Sequence, residues 1–136
     1  MKQLKTVLAF FLIIIFTGCL DDDNETTFFY ELTPIEKVDI PDEFTRGETV
    51  KITTTYIRPS NCHAFYDYRY SIVGNERTVT AINVYIDEGN CTEKTELVSE
   101  SFNFLVGEED SYIFRFWQGR DENDDNQFLT IEVPVL

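Results

Sequence analysis

The sequence predicts an all-β protein, a single β-sandwich domain preceded by a short N-terminal segment of a different character. Two observations carry this. From residue 28 onward, apolar residues recur at every second position in one stretch after another, the period of a half-buried strand, and no stretch has the spacing of an amphipathic helix. Gly, Asn, Asp and Pro interrupt these stretches about every ten residues, as turns do.

The strands follow in order. A first strand falls within Phe28–Ile40, where Pro34 interrupts it. Val50 to Arg58 alternates, with Val50, Ile52, Thr54 and Tyr56 on one face and Lys51, Thr53 and Thr55 on the other. Residues 64–73, AFYDYRYSIV, set Tyr66, Tyr68, Tyr70 and Ile72 against Asp67, Arg69 and Ser71, and Gly74-Asn75 then marks a turn. Residues 78–86, TVTAINVYI, align Thr80, Ile82, Val84 and Ile86 before Glu88-Gly89-Asn90 ends the strand. Beyond it, 97–106 aligns Phe102, Phe104 and Val106; 111–117 aligns Tyr112, Phe114 and Phe116; and the stretch from 128 aligns Leu129, Ile131 and Val133. About seven short strands with these turns describe a sandwich of immunoglobulin-like type. Pro34 and Pro134 suit edge positions, since proline donates no ladder hydrogen bond. Asp110-Ser111-Tyr112 resembles a tyrosine corner, whose hydroxyl bonds back to upstream backbone; a plain core aromatic is the alternative.

The N-terminus is built differently. Lys2 and Lys5 precede ten unbroken apolar residues, Val7 to Phe16. As a helix this run would be only about 15 Å long, against a hydrocarbon core of roughly 30 Å, so it does not span a bilayer. A buried core helix would show polar residues at helical spacing, and the run has none. Residues 1–18 are therefore expected to be a signal peptide.

Phe16-Thr17-Gly18-Cys19 resembles a bacterial lipobox, with Phe16 where leucine is commonest. The resemblance implies that Cys19 is acylated and becomes the new N-terminus. Each buried methylene of an acyl chain contributes about 0.8 kcal/mol, so two or three chains hold a protein on a membrane without a spanning helix. The acidic run Leu20-Asp21-Asp22-Asp23-Asn24-Glu25 is similar to the surface-export signal of Bacteroidota lipoproteins, and Leu20 fits outer-membrane delivery in the same family. Display on the cell surface is the expectation, with a periplasm-facing anchor as the alternative. On either, residues 19–27 form a lipidated acidic tether and residues 28–136 the sandwich domain.

The whole chain carries a formal charge of −14, and loss of residues 1–18 removes only Lys2 and Lys5 among charged residues. The mature chain is more acidic still. Nucleic acid is excluded as a partner because its phosphates would be repelled; cationic partners or surface divalent ions are the electrostatic complement. With Cys19 taken by lipid, Cys62 and Cys91 remain as an even pair in an exported domain, which predicts a disulfide. Zinc would need two more ligands, and the only histidine is His63. In an alternating strand order the loops holding Cys62, Cys91 and Gln118–Gln127 share one pole, within bridging distance.

Residues 121–132, DENDDNQFLTIE, imitate a calcium loop, with Asp121, Asn123, Asp125 and Glu132 at the first, third, fifth and twelfth positions. A strand from Phe128 carries Glu132 roughly 16 Å past Gln127, which removes the EF-hand reading. A solvated hairpin loop remains, beside a looser calcium site of Asp121, Asn123 and Asp125. No Ser-His-acid arrangement follows from spacing, so no enzyme and no cofactor is expected, and His63 reads as a polar residue beside the bridge. The expected function is a binding or adhesion module of unknown protein or glycan ligand, displaying the Cys62, Cys91 and 121–126 loops away from the membrane. The alternatives are a small lipoprotein inhibitor of a cationic enzyme such as lysozyme, and an accessory glycan-binding protein using Trp117.

Overall fold

The structure, a computed structural model, describes residues 26–136; the expected signal peptide, Cys19 and the acidic run to Glu25 lie outside the described residues. Eight strands and no helix make up the described chain: β1 (Thr27–Thr33), β2 (Ile35–Asp39), β3 (Thr49–Ser60), β4 (His63–Val73), β5 (Glu76–Asp87), β6 (Glu93–Leu105), β7 (Ser111–Arg120) and β8 (Asn126–Pro134). They form a β-sandwich. One sheet holds β1, β4, β5, β7 and β8, the other β2, β3 and β6.

The count exceeds the expected seven because Pro34 divides the first strand. β1 pairs with β5 and β2 with β3, so the chain changes sheets at the residue that cannot continue a ladder. The edge expectation for Pro134 is met, since it ends β8 at the margin of the larger sheet.

β5 organises the larger sheet. Along one edge it pairs antiparallel with β4. Along the other it pairs in parallel with β7 through Glu76–Val79, then antiparallel with β1 through Ala81–Asp87. The turn into β5 helps set this parallel register, because Asn75 accepts the Ile113 N–H (3.1 Å) and its amide donates to the Ser111 carbonyl (3.1 Å).

Period two places the core. Ile35, Val50, Ile52 and Phe104 from the smaller sheet meet Val79, Ala81, Phe114, Phe116 and Val133 from the larger. Phe44 closes this core at the pole away from the cysteines, its ring against Phe104, Tyr112 and Phe114. Tyr112 makes the expected corner: its hydroxyl accepts the Gly107 N–H at 2.9 Å, and a Cβ on Gly107 would sit 2.8 Å from that oxygen. Nearer the cysteines, Tyr68 and Thr54 hydroxyls bond across the two sheets (2.7 Å), and burial pushes the Tyr68 phenol up to about 12.

One alignment read in the sequence changes, and another is kept but turned to the outer face. In β4 a bulge between Phe65 and Asp67 inserts Tyr66, so Phe65, Tyr68 and Tyr70 share the inner side while Tyr66 turns outward. In β5 the inner side is Val79, Ala81 and Asn83, and the aligned Ile82, Val84 and Ile86 face out.

Cys62 and Cys91 are bridged, with Cα atoms 5.5 Å apart. The β3–β4, β5–β6 and β7–β8 connections thus share one pole, and β1 begins there too, with Thr27 opposite Asp87. Closing a loop of 29 residues is worth about 3.5 kcal/mol on the chain-entropy model. Replacing both cysteines by serine is expected to lower unfolding stability by about that amount in a urea titration, with core strands unchanged.

Candidate functional site

The outer face of the larger sheet carries an apolar surface near the disulfide pole. β1 contributes Phe28, Tyr30 and Leu32, which stand opposite Ile86, Val84 and Ile82 of β5. β4 adds Ala64 opposite Val84, and the bulged Tyr66. Side chains opposite one another in a ladder share a face, so these residues form one patch. The Tyr30 and Tyr66 rings lie 4.4 Å apart, and Phe28 meets Tyr30 edge-on at 6.0 Å. Phe28 is 61% exposed, Tyr66 56% and Tyr30 52%. An exposed contiguous apolar patch of this kind marks an interaction surface more often than chance.

A shallow hollow of about 290 Å³ adjoins the patch through Ile86 and Ala64, with Asn61, Cys62, Glu88 and Asn90 as its remaining wall. Asn61 fastens the two bridged loops together: its amide donates to the Asn90 carbonyl (3.1 Å) and its oxygen accepts the Thr92 N–H (2.7 Å). Glu88 and Asn90 form the exposed rim.

Charge is segregated at this pole. Its three cations are already paired: Lys94 (2.6 Å) and Arg58 with Glu96, and Arg120 with Asp124 (3.0 Å). Lys94 first and then Arg58 hold the Glu96 carboxyl below its usual range. Asp87, Glu88, Glu93, Glu122 and Asp125 have no ion-pair partner among the described residues.

Beneath the pole, the fold assembles what spacing did not predict. His63 Nδ1 lies 2.6 Å from Ser60 Oγ, and its Nε2 lies 3.0 Å from Glu31 Oε1. With the carboxylate accepting from Nε2–H, the tautomer that satisfies every partner has Ser60 donating to Nδ1. The set resembles a hydrolytic triad in composition, yet Ser60 is only 8% exposed and its oxygen also accepts the Cys62 N–H at 3.2 Å. A nucleophile must reach a carbonyl carbon, and this oxygen is enclosed. What the geometry does is tie β1, through Glu31, to the β3–β4 turn.

The acidic loop uses its carboxylates internally. Asp121 Oδ1 accepts the N–H groups of Asn123 (2.9 Å) and Asp125 (3.0 Å), and Oδ2 accepts the Gln127 amide (3.0 Å). Asp124 takes a left-handed φ of 66° and pairs with Arg120. Glu132 stands within β8 opposite Ile113 and accepts the Ser111 hydroxyl (3.1 Å), away from the loop as anticipated. Among the described residues, no three His, Cys, Asp or Glu side chains gather as metal ligands. Trp117 sits on the outer face opposite Phe128, half-buried, its N–H given to Asn126 at 2.9 Å.

The chain matches no protein-family model, no curated protein and no solved structure. Of the residues singled out in the sequence, the fold joins Cys62 to Cys91 and gathers Asp121, Asn123 and Asp125 in one loop. It leaves Trp117 largely covered. The aromatic face was the part missed, and its signal was present: β5 is apolar on both parities, with Val79 and Ala81 on one and Ile82, Val84 and Ile86 on the other.

Because Asp121 scaffolds the loop, Asp121→Ala is expected to destabilise the protein by about 1–2 kcal/mol, while Asp125→Ala stays within about 0.5 kcal/mol. Millimolar calcium should leave the wild-type melting temperature unchanged. Thermal melts of the three proteins with and without calcium check both expectations.

Proposed function

We propose that the protein is a lipid-anchored surface lipoprotein that works as a binding module, docking its ligand on the Phe28, Tyr30, Tyr66 and Ile86 face. The observation that carries the binding role is that face, an aromatic surface that the sandwich leaves uncovered. The anchor rests on the Lys2 to Cys19 pattern and on the acidic run after it. Seven residues lie between Cys19 and Thr27, and their eight Cα steps reach at most about 28 Å at ~3.5 Å per step. Since β1 starts at the disulfide pole, a lipid on Cys19 keeps that pole on the membrane-near side. This reverses the expected display of the cysteine and 121–126 loops away from the membrane, and it turns the sheet face sideways, open to soluble or neighbouring partners. Inhibition of a cationic enzyme is the second reading, favoured by the acidic pole beside the face. The glycan reading loses its support, because Trp117 is half-buried with its N–H occupied.

Cys19→Ser is expected to release the protein from the membrane fraction or leave it unprocessed; retained attachment, with no lipid mass on a Cys19 peptide, would sink the anchor. The triple change Phe28→Ser, Tyr30→Ser, Tyr66→Ser should keep the fold, with the melting temperature lowered by a few degrees at most, because these side chains are already exposed. Co-purification of any ligand from intact cells should be lost. Undiminished ligand recovery by the folded triple variant would rule the face out.

A further inference from the structure

The partner of this face is written in its charge pattern. At its centre stand Phe28, Tyr30 and Tyr66, aromatic anchors of the kind that dominate interface energetics when a partner excludes water from them. Beside them, toward the disulfide pole, Glu88 lines the hollow with Ile86 and Ala64, and the loop acids Glu122 and Asp125 lie in the β7–β8 connection at that pole. Asp87 has the opposite parity to Ile86, and its carboxylate accepts from the Tyr85 hydroxyl (3.3 Å) and the Gly89 N–H (2.8 Å). The cations of that pole are committed: Arg58 and Lys94 to Glu96, and Arg120 to Asp124. On the patch side of β4, the nearest cation is Arg69, opposite Thr80 and farther from the pole than Tyr66. An apolar centre with an uncompensated acidic flank matches a positively charged surface and repels a negative one.

We propose that the face takes a cationic protein, one that seats an apolar or aromatic side chain against Tyr30 and Tyr66 and brings lysine or arginine to Glu88. The proposal rests on the reading of this face as the docking surface and adds the chemistry of the occupant. A second copy of the chain is disfavoured as occupant. Each copy carries the same strongly negative net charge and the same acidic pole, so face-to-face pairing sets like charges together. Phosphate-bearing glycans and lipid headgroups meet the same repulsion.

The test places a photo-crosslinking benzoylphenylalanine at position 30 of the full-length chain in intact cells of its source, with position 28 as a second site and the exposed Leu97 on the opposite sheet as control. Irradiation is expected to give one protein adduct of basic isoelectric point from positions 30 and 28 and none from 97. Its yield should fall roughly threefold or more with Glu88→Gln, as expected for a lost charge pair and weaker electrostatic steering. A similar fall is expected in ~1 M salt, where the screening length is only ~3 Å. An adduct with a second copy, a glycolipid, or a neutral or acidic protein would overturn the cationic partner while leaving the docking face in place, as would a basic adduct indifferent to salt and to Glu88→Gln. No adduct at either position would overturn the docking face and this inference together.

Discussion

The divided edge of β5 is the constraint on which the rest of the larger sheet depends. Hydrogen bonding is exhausted along one side by β4, and on the other it passes from β7 to β1 between Val79 and Ala81. Two partners cannot occupy the same length of ladder, so the β7–β8 hairpin gives way where β1 ends, at Thr33 opposite Ala81. Its course is bent there by the register shift between Trp117 and Arg120. Gly119, at a φ of 98°, passes close to Pro34 at this crossing, where a Cβ would come within 3.3 Å of the proline ring. The arrangement extends the sheet toward the disulfide pole by three strands only. It also leaves the outer side of those strands with no layer over it among the described residues.

Much of the architecture was legible because it depends on local chemistry. Alternation in Val50–Tyr56 named the buried side of β3 correctly, and the phenylalanines of β7 were equally plain. Proline chemistry located the break at Pro34, although not that the two halves would join different sheets. The cysteine pair was legible because alternating strands bring every second loop to one pole. The facing of β5 was not, since parity separates two sides of a strand without saying which is covered. Ile82, Val84 and Ile86 make the more apolar side, yet the smaller sheet packs against Val79 and Ala81, where small residues admit Phe114, Phe116 and their neighbours. Nor could Tyr66 be assigned, because one inserted residue reverses all later parity in β4.

The polar group formed by Ser60, His63 and Glu31 shows the same limit from another side. Its members are separated by 29 residues in sequence between Glu31 and Ser60, and only the β1–β5–β4 register makes them neighbours. Glu31 faces inward from a strand exposed over most of its length, an inward charge of the sort that discourages edge strands from pairing elsewhere. Here the charge is answered by an imidazole rather than left to solvent. The first strand of the domain is thereby fixed to the bridged turn as well as to its ladder.

That fixing has a mechanical meaning. β1 enters at the disulfide pole and runs inward along β5, its seven register pairs lying across the direction of the chain. A pull on the chain ahead of Thr26, directed out of that pole, loads the pairs side by side in shear instead of opening them one after another. Beyond β1 the load turns at Pro34 into β2 and so reaches the second sheet, spreading over both halves of the sandwich. Resistance to such a pull is governed by the rate of strand detachment rather than by overall stability. A domain held by its first strand in this way is suited to bearing tension applied through the chain that leads into it.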